Sequence, residues 1–227
     1  MSWSALFSEG FLKIMIGKAI LEGIPSSYLA YFLLLPVLAS LVAATRHLLG
    51  IMTYGTFIPA LLAIIWLELG LVRGGFFFAI LFFWAWLVRS ITKKTLIKRV
   101  KVNYLPRMAI LLLFVSVGLL FFVLSFSFLP NEWGKMIPFL LILLLIIQNI
   151  IDIQTSLSKK ETRAMFWETI FFALFGYFLL GSSILQNLVL SYPGWTVILI
   201  FSFNIYVGRF IGFRFLEHFR FKSIIEK

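Results

Sequence analysis

Apolar residues run through the chain in seven long stretches, at about 27–45, 50–69, 74–88, 108–129, 135–154, 164–181 and 194–211, with short polar punctuation between them. Most hold close to the 20 or so apolar residues that carry an α-helix across a hydrocarbon core about 30 Å thick. The third is short, so Arg73 and Arg89 at its ends are expected to reach outward along their own aliphatic stems. Pro36 predicts a kink in the first stretch. Ahead of them, residues 4–24 carry Glu9–Lys13 and Lys18–Glu22 at i,i+4 spacing. That segment is too charged to span comfortably and reads as an interfacial or partner-docking helix, ended by Pro25-Ser26-Ser27. Two connections are expected to stay non-helical: the polar loop SLSKKETRA after the fifth stretch, and the weakly polar turn GSSILQNLVLSYPG before the seventh. The pattern therefore predicts an all-α fold, a polytopic membrane helical bundle of seven transmembrane helices with an N-terminal interfacial helix. Its expected parts are 1–25, the interfacial helix; 26–213, the membrane domain; and 214–227, a basic cytoplasmic tail.

Composition agrees with the pattern and adds an orientation. Of the 227 residues 62% are hydrophobic and 13% charged, with a mean hydropathy of +1.04. That balance excludes a soluble domain. The net charge of +11 points to no nucleic acid, because excess Lys and Arg in a membrane protein mark cytoplasmic loops and anionic lipid. With seven spans, one side receives Arg46, the acid-free run from Arg89 to Arg107, Lys159, Lys160, Arg163 and the basic tail, sixteen of the twenty basic residues. The other side receives only Lys13, Lys18, Arg73 and Lys135. Positive-inside bias then places the amino end outside and the carboxyl end in the cytoplasm of a bacterial inner membrane. An even number of spans breaks this segregation. No cleavable signal peptide is read at the start, where Glu9, Lys13 and Lys18 interrupt any apolar core.

The second stretch carries the most unusual chemistry. Thr53, Tyr54, Gly55, Thr56 and Pro59 crowd into its first half, behind Arg46 and His47, while Ile58 to Leu69 is as apolar as any span. Hydroxyls, a glycine and a proline loosen a helical ladder and offer polar groups to a neighbour. Two readings stay open: an ordinary span with a small-residue packing face, or a broken or re-entrant helix lining a polar cavity. At the cytoplasmic end of the fifth span, Gln148, Asn149 and Asp152 share one face, and Glu168 stands about one turn inside the sixth. Asp152 and Glu168 fit either pairing with Arg163, Arg46 or Arg209 that fixes helix ends, or a polar pocket open to the cytoplasm. Glu68 and Arg73 flank a tight turn at Gly70. His47 and His218 are too few for a metal centre, and the lack of cysteine excludes disulfides and thiol nucleophiles. No catalytic constellation, metal site or cofactor is expected.

Three segments, ATRHLLGIMTYGTFIPALLAI, YLPRMAIL and GRFIGFRFLEHFRF, together resemble the seven-transmembrane module usually found fused to an inactive transglutaminase-like domain in bacteria. That family's pattern sets a basic residue at the close of the first span and then a glycine, threonine, phenylalanine and proline series. Arg46, Gly50, Thr53, Gly55, Thr56, Phe57 and Pro59 fill those positions. Pro106 and Arg107 match its opening of the fourth span, and Gly208, Arg209, Gly212, Glu217 and Arg220 its closing pattern. The likeness covers about residues 24–222. In the usual architecture an extracytoplasmic domain and its own leading span precede the module. Here about 24 residues stand there, so the N-terminal helix is expected as a substitute contact. A more distant likeness, through the Glu68-Leu69-Gly70 turn, the Pro138 span and the start of the sixth, is to the small membrane subunit of poly-γ-glutamate capsule synthase.

The resemblance implies a non-enzymatic membrane subunit that supports ligase-linked synthesis or export of an amino-acid or peptide-like polymer. Its partners would be the lipid bilayer, a cytoplasmic amide ligase of the ATP-grasp type and other membrane subunits. The residues alone also support a transporter or channel with a polar route through the second span. Candidate binding residues on these readings are Arg46, His47, Thr53, Gly55, Thr56, Pro59, Arg107, Asp152, Glu168, Arg209, Glu217 and Arg220.

Overall fold

A computed structural model describes residues 10–92, 104–125, 133–156 and 158–209. Among the described residues the regular structure is helical and no strand occurs. In chain order the elements are α1 (Phe11–Leu21), α2 (Ser26–Ala44), a single π turn (Thr45–Leu49), α3 (Ile58–Leu69), α4 (Leu71–Thr92), α5 (Tyr104–Ser125), α6 (Trp133–Ser156), α7 (Lys159–Gly181), α8 (Ser183–Ser191) and α9 (Pro193–Gly208). The segments Ser26–Leu49, Leu71–Ile91 and Lys160–Gly181 are each long and apolar enough to cross a membrane. α5 and α6 have 22 and 24 residues, about 33–36 Å at 1.5 Å per residue. α3 has only 12 residues, about 18 Å, too short to cross alone.

The chain forms two compact units, one from Met1–Ile64 with Arg163–Lys227, the other from Ile65–Thr162. In the first, α2 is the central element. Ala30, Leu34, Leu38 and Val42 recur every fourth residue and are all buried, a single seam at helical spacing. α8 and α9 pack on α2, and α1 packs on α8 and α9. Gly176 of α7 sits against Leu38 of α2 and Ala63 of α3. A Cβ there would collide with the Leu38 side chain and lie 3.0 Å from the Ala63 Cβ. The missing side chain lets three helices approach, the small-residue logic of membrane packing. Ser40 joins α2 to α9: its Oγ donates to the Pro36 carbonyl at 2.7 Å and accepts from Asn204 Nδ2 at 2.7 Å.

In the second unit α4 packs on α5 and α6, and α5 on α6. The indole of Trp84 on α4 lies over Gly118 of α5, where a Cβ would collide with the ring, and its Nε1 donates to the Phe114 carbonyl at 3.4 Å. Near the far end of α4, Arg89 Nη1 donates to Gln154 Oε1 of α6 at 3.2 Å. Gly70 alone separates α3 from α4, as the expected Glu68-Leu69-Gly70 turn requires. Trp66 and Phe78 meet edge to face across it, with ring centroids 6.5 Å apart.

Three sequence expectations change in the fold. The short third span becomes the 22-residue α4, because helical hydrogen bonding continues through Arg73 and Arg89 beyond the apolar stretch. Most of the polar loop SLSKKETRA joins a helix, since α7 begins at Lys159. Ser158 and Glu161 form a capping box there: the Glu161 amide donates to Ser158 Oγ at 3.4 Å and the Ser158 amide to Glu161 Oε2 at 3.1 Å. Most of the expected turn before the seventh span is also helical, as α8. Gln186 Nε2 donates to the Leu180 carbonyl at the end of α7, 2.6 Å away. Pro193 opens α9 as its first residue, and α8 and α9 meet at 98°.

Candidate functional site

The second span is broken, which decides between the two sequence readings of its local backbone. The π turn that carries Arg46 and His47, both exposed, closes on Gly50, whose φ of 83° is left-handed. Residues 50–57 then run without helix until α3 begins at Ile58. Gly55 has φ 122°, a region L side chains rarely adopt. Thr53 Oγ1 donates to the Gly55 carbonyl at 2.7 Å, a local bond that competes with the helical ladder. Pro59 is the second residue of α3 and is buried. In a first turn its missing N–H removes no intrahelical bond. Each residue type that made this stretch unusual thus has a local part in the break.

An unwound segment leaves amides that lipid cannot satisfy. Two successive residues of α7 supply acceptors. Glu168 Oε2 accepts the Met52 amide at 2.8 Å. Thr169 Oγ1 accepts the Tyr54 amide at 3.1 Å and donates to the Met165 carbonyl of its own helix at 2.7 Å. Alternate amides of the break are therefore held by neighbouring side chains of one helix. The two bonds differ in setting: Met52 is 45% exposed, whereas Tyr54 and Thr169 are each 1% exposed. The Glu168 end faces the surface of the unit and the Thr169 end its interior. The bond to the carboxylate is of the stronger, charge-assisted kind.

Of the residues singled out from sequence, the structure brings Thr53, Gly55, Thr56 and Pro59 into one interrupted segment and sets Glu168 against it. Glu168 bonds a backbone amide; among the described residues it forms no ion pair with Arg46, Arg163 or Arg209. Arg209 follows α9 directly and is exposed. Asp152 lies in the last turns of α6 and Arg107 in the first turn of α5, both within the other compact unit. Glu217 and Arg220 lie outside the described residues. Thr169 is the site residue that sequence reasoning missed. Its signal is a threonine in the apolar part of α7, directly after the acid at 168.

Chemically the arrangement offers acceptors and amides rather than a nucleophile with its base. No cluster of three or more His, Cys, Asp or Glu able to hold a metal ion occurs among the described residues. Residues 23–225 match a family described as seven transmembrane helices usually fused to an inactive transglutaminase. No curated protein and no solved structure matches the chain significantly.

Proposed function

The chain belongs, over residues 23–225, to the family of seven-transmembrane modules usually fused to an inactive transglutaminase, and from that premise we propose that it is a non-enzymatic integral membrane subunit supporting ligase-linked synthesis or export of an amino-acid or peptide-like polymer. The observation that carries this reading is the family's habitual joining of a membrane module to a soluble domain without activity. A module kept with an inactive companion works by holding and placing other components. Here the means is charge. Seven spans gather sixteen of the twenty Lys and Arg residues on one face, and a single-sign face concentrates and steers acidic partners.

In this reading residues 26–213 form the membrane domain and 1–25 an interfacial contact. The amino end lies outside a bacterial inner membrane, and residues 214–227 extend into the cytoplasm. The basic connection from Arg89 to Arg107 and the tail engage a cytoplasmic amide ligase of the ATP-grasp type or its anionic product. Affinity capture of the solubilised chain tests this. The expected result is recovery of an amide ligase at low salt, weakened at about 1 M salt, where charges are screened beyond about 3 Å. Recovery of the chain alone at low salt counts against it.

The broken second span favours one further reading, a transporter or channel. Interrupted helices at a repeat or bundle interface are the usual pointer to a midplane site. Thr53, Thr56 and Glu168 would line the route. Flux of amino-acid polymers or ions into proteoliposomes, lowered by Thr56→Val and Glu168→Gln, is the expected result. Absence of flux in the wild-type chain removes this reading and leaves the first intact.

A further inference from the structure

Glu168 brings a carboxyl group well inside a helix that can cross the membrane. Within Lys160–Gly181 it stands about 12 Å from one end and about 20 Å from the other, at 1.5 Å per residue. A hydrocarbon core about 30 Å thick then keeps the group away from either aqueous face. Ionisable side chains at such depth pair with one another or with backbone groups, and they mark ion and proton sites. Here the pairing is half complete. Oε2 accepts the Met52 amide at 2.8 Å, a bond that steadies a carboxylate without cancelling its charge. The charged and titratable groups on the surrounding segments of this unit are Arg46 and His47 in the π turn, Tyr54 in the break, Arg163 on α7 itself and Arg209 after α9. Among the described residues none of them forms an ion pair or hydrogen bond with Glu168.

The other wall of the site is a carbonyl oxygen. Met52 and Tyr54 turn alternate amides to α7. That is the pattern of extended backbone, in which a residue's own N–H and C=O leave from the same edge. The Met52 carbonyl therefore faces α7 beside the carboxylate, and among the described residues it accepts no hydrogen bond. α7 has no donor to offer it: the helix amides belong to their own ladder, and Thr169 Oγ1 donates to the Met165 carbonyl. The π turn that prolongs α2 closes at Gly50, just before Met52, and the carbonyl end of a helix adds partial negative charge.

Two oxygens side by side with no donor between them repel each other until a positive charge joins them. Carboxylate and carbonyl ligands suit hard cations. A single carboxylate balances a single positive charge, whereas calcium sites draw on several. We infer that Glu168 and the Met52 carbonyl hold one monovalent cation, a sodium ion or a proton, which neutralises the carboxylate inside the membrane and ties the unwound segment to α7. A sodium ion would lie between the two oxygens. A proton would let Glu168 donate to the Met52 carbonyl, so that one carboxyl group answers both main-chain groups of one residue. The site acts on the broken span itself and requires nothing to cross the membrane beside it.

The test is amide hydrogen exchange of the full chain in nanodiscs of zwitterionic lipid, at one pH, in sodium chloride or choline chloride. Both salts are held at ~0.1 M, where the screening length is about 10 Å in either. Infrared difference spectra between neutral and mildly acid buffer, free of sodium, then seek the carboxyl band of a protonated glutamate. With sodium as the ligand, exchange of the 50–57 peptides slows several-fold in wild type, and Glu168→Gln abolishes the difference. With a proton as the ligand, sodium changes nothing and the wild-type chain shows a carboxyl band that Glu168→Gln removes. Either result supports the site and identifies its ion. Exchange indifferent to sodium together with no band lost in Glu168→Gln overturns the inference, as does a sodium effect of equal size in that variant. Should Glu168→Gln fail to fold, Glu168→Asp takes its place: its shorter stem should weaken the sodium effect and, under glutamate-specific isotope labelling, remove the isotope shift of the band. An unchanged sodium effect and an unchanged band in Glu168→Asp overturn the inference equally.

Discussion

Thr169→Val isolates the chemistry that holds the broken span. Valine keeps the shape of threonine and removes its hydroxyl. The Met165 carbonyl has its place in the helical ladder of α7, so it is not orphaned. The Tyr54 amide is different: it is 3.1 Å from Thr169 Oγ1, in a residue only 1% exposed. Leaving a buried donor without a partner costs about 1–3 kcal/mol. At about 2–4 °C per kcal/mol for a chain of 150–250 residues, the thermal midpoint falls by about 2–12 °C. Thr169→Ser keeps the hydroxyl and loses one methyl, at about 0.5–1.5 kcal/mol, so midpoints alone separate the variants poorly. Amide hydrogen exchange separates them. At 1.4 kcal/mol per tenfold, exposure of the Tyr54 amide should rise about 5- to 150-fold in Thr169→Val. Thr169→Ser should leave it protected. The assay is exchange of the purified chain in nanodiscs, read on peptides covering 50–57. Equal exchange at Tyr54 in Thr169→Val and wild type refutes the reasoning, as does equal loss of protection in both variants.

Gly176→Ala should destabilise by about 1–3 kcal/mol, because the new methyl meets Leu38 and Ala63, while Gly194→Ala, with nothing within 4 Å, serves as the control in the same thermal scan. Gly55→Ala should cost a similar 1–3 kcal/mol for a different reason, backbone strain at φ 122°: its new Cβ meets only Ile58 Cδ1, at 3.9 Å. Exchange in the 50–57 peptides should rise in Gly55→Ala and stay near wild type in Gly176→Ala. The chain has no cysteine, so Leu96→Cys and Asn187→Cys give single labelling sites. Impermeant maleimide added to intact cells should modify position 187 and spare 96, and labelling of both from one face refutes the seven-span topology.

Much of this was legible along the chain because the bilayer imposes a one-dimensional code. A helix must keep about 20 residues apolar to cross, so the stretches at 27–45, 108–129, 135–154 and 164–181 each lie close to a helix: α2, α5, α6 and α7. Errors cluster at ends. Helical bonding does not stop where hydropathy stops, so α4 and α7 extend into charged residues. A short amphipathic helix such as α8 has the same mixed composition as a turn, and only its packing on α2 shows the difference.

The break in the second span marks the boundary between the two kinds of information. Gly50, Thr53, Gly55 and Pro59 advertise a weak ladder from sequence alone, because their constraints are local: a positive φ, a competing hydroxyl, a missing amide. Whether that weakness becomes a break depends on partners more than a hundred residues away. Glu168 and Thr169 stand 116 and 115 positions beyond the amides they hold, and nothing in local spacing links them. Membrane class and the helical character of the apolar stretches follow from composition and order, because hydrocarbon acts on every residue separately. The bond pattern of the break and the close approach at Gly176 belong to tertiary structure, because each exists only where separate helices meet.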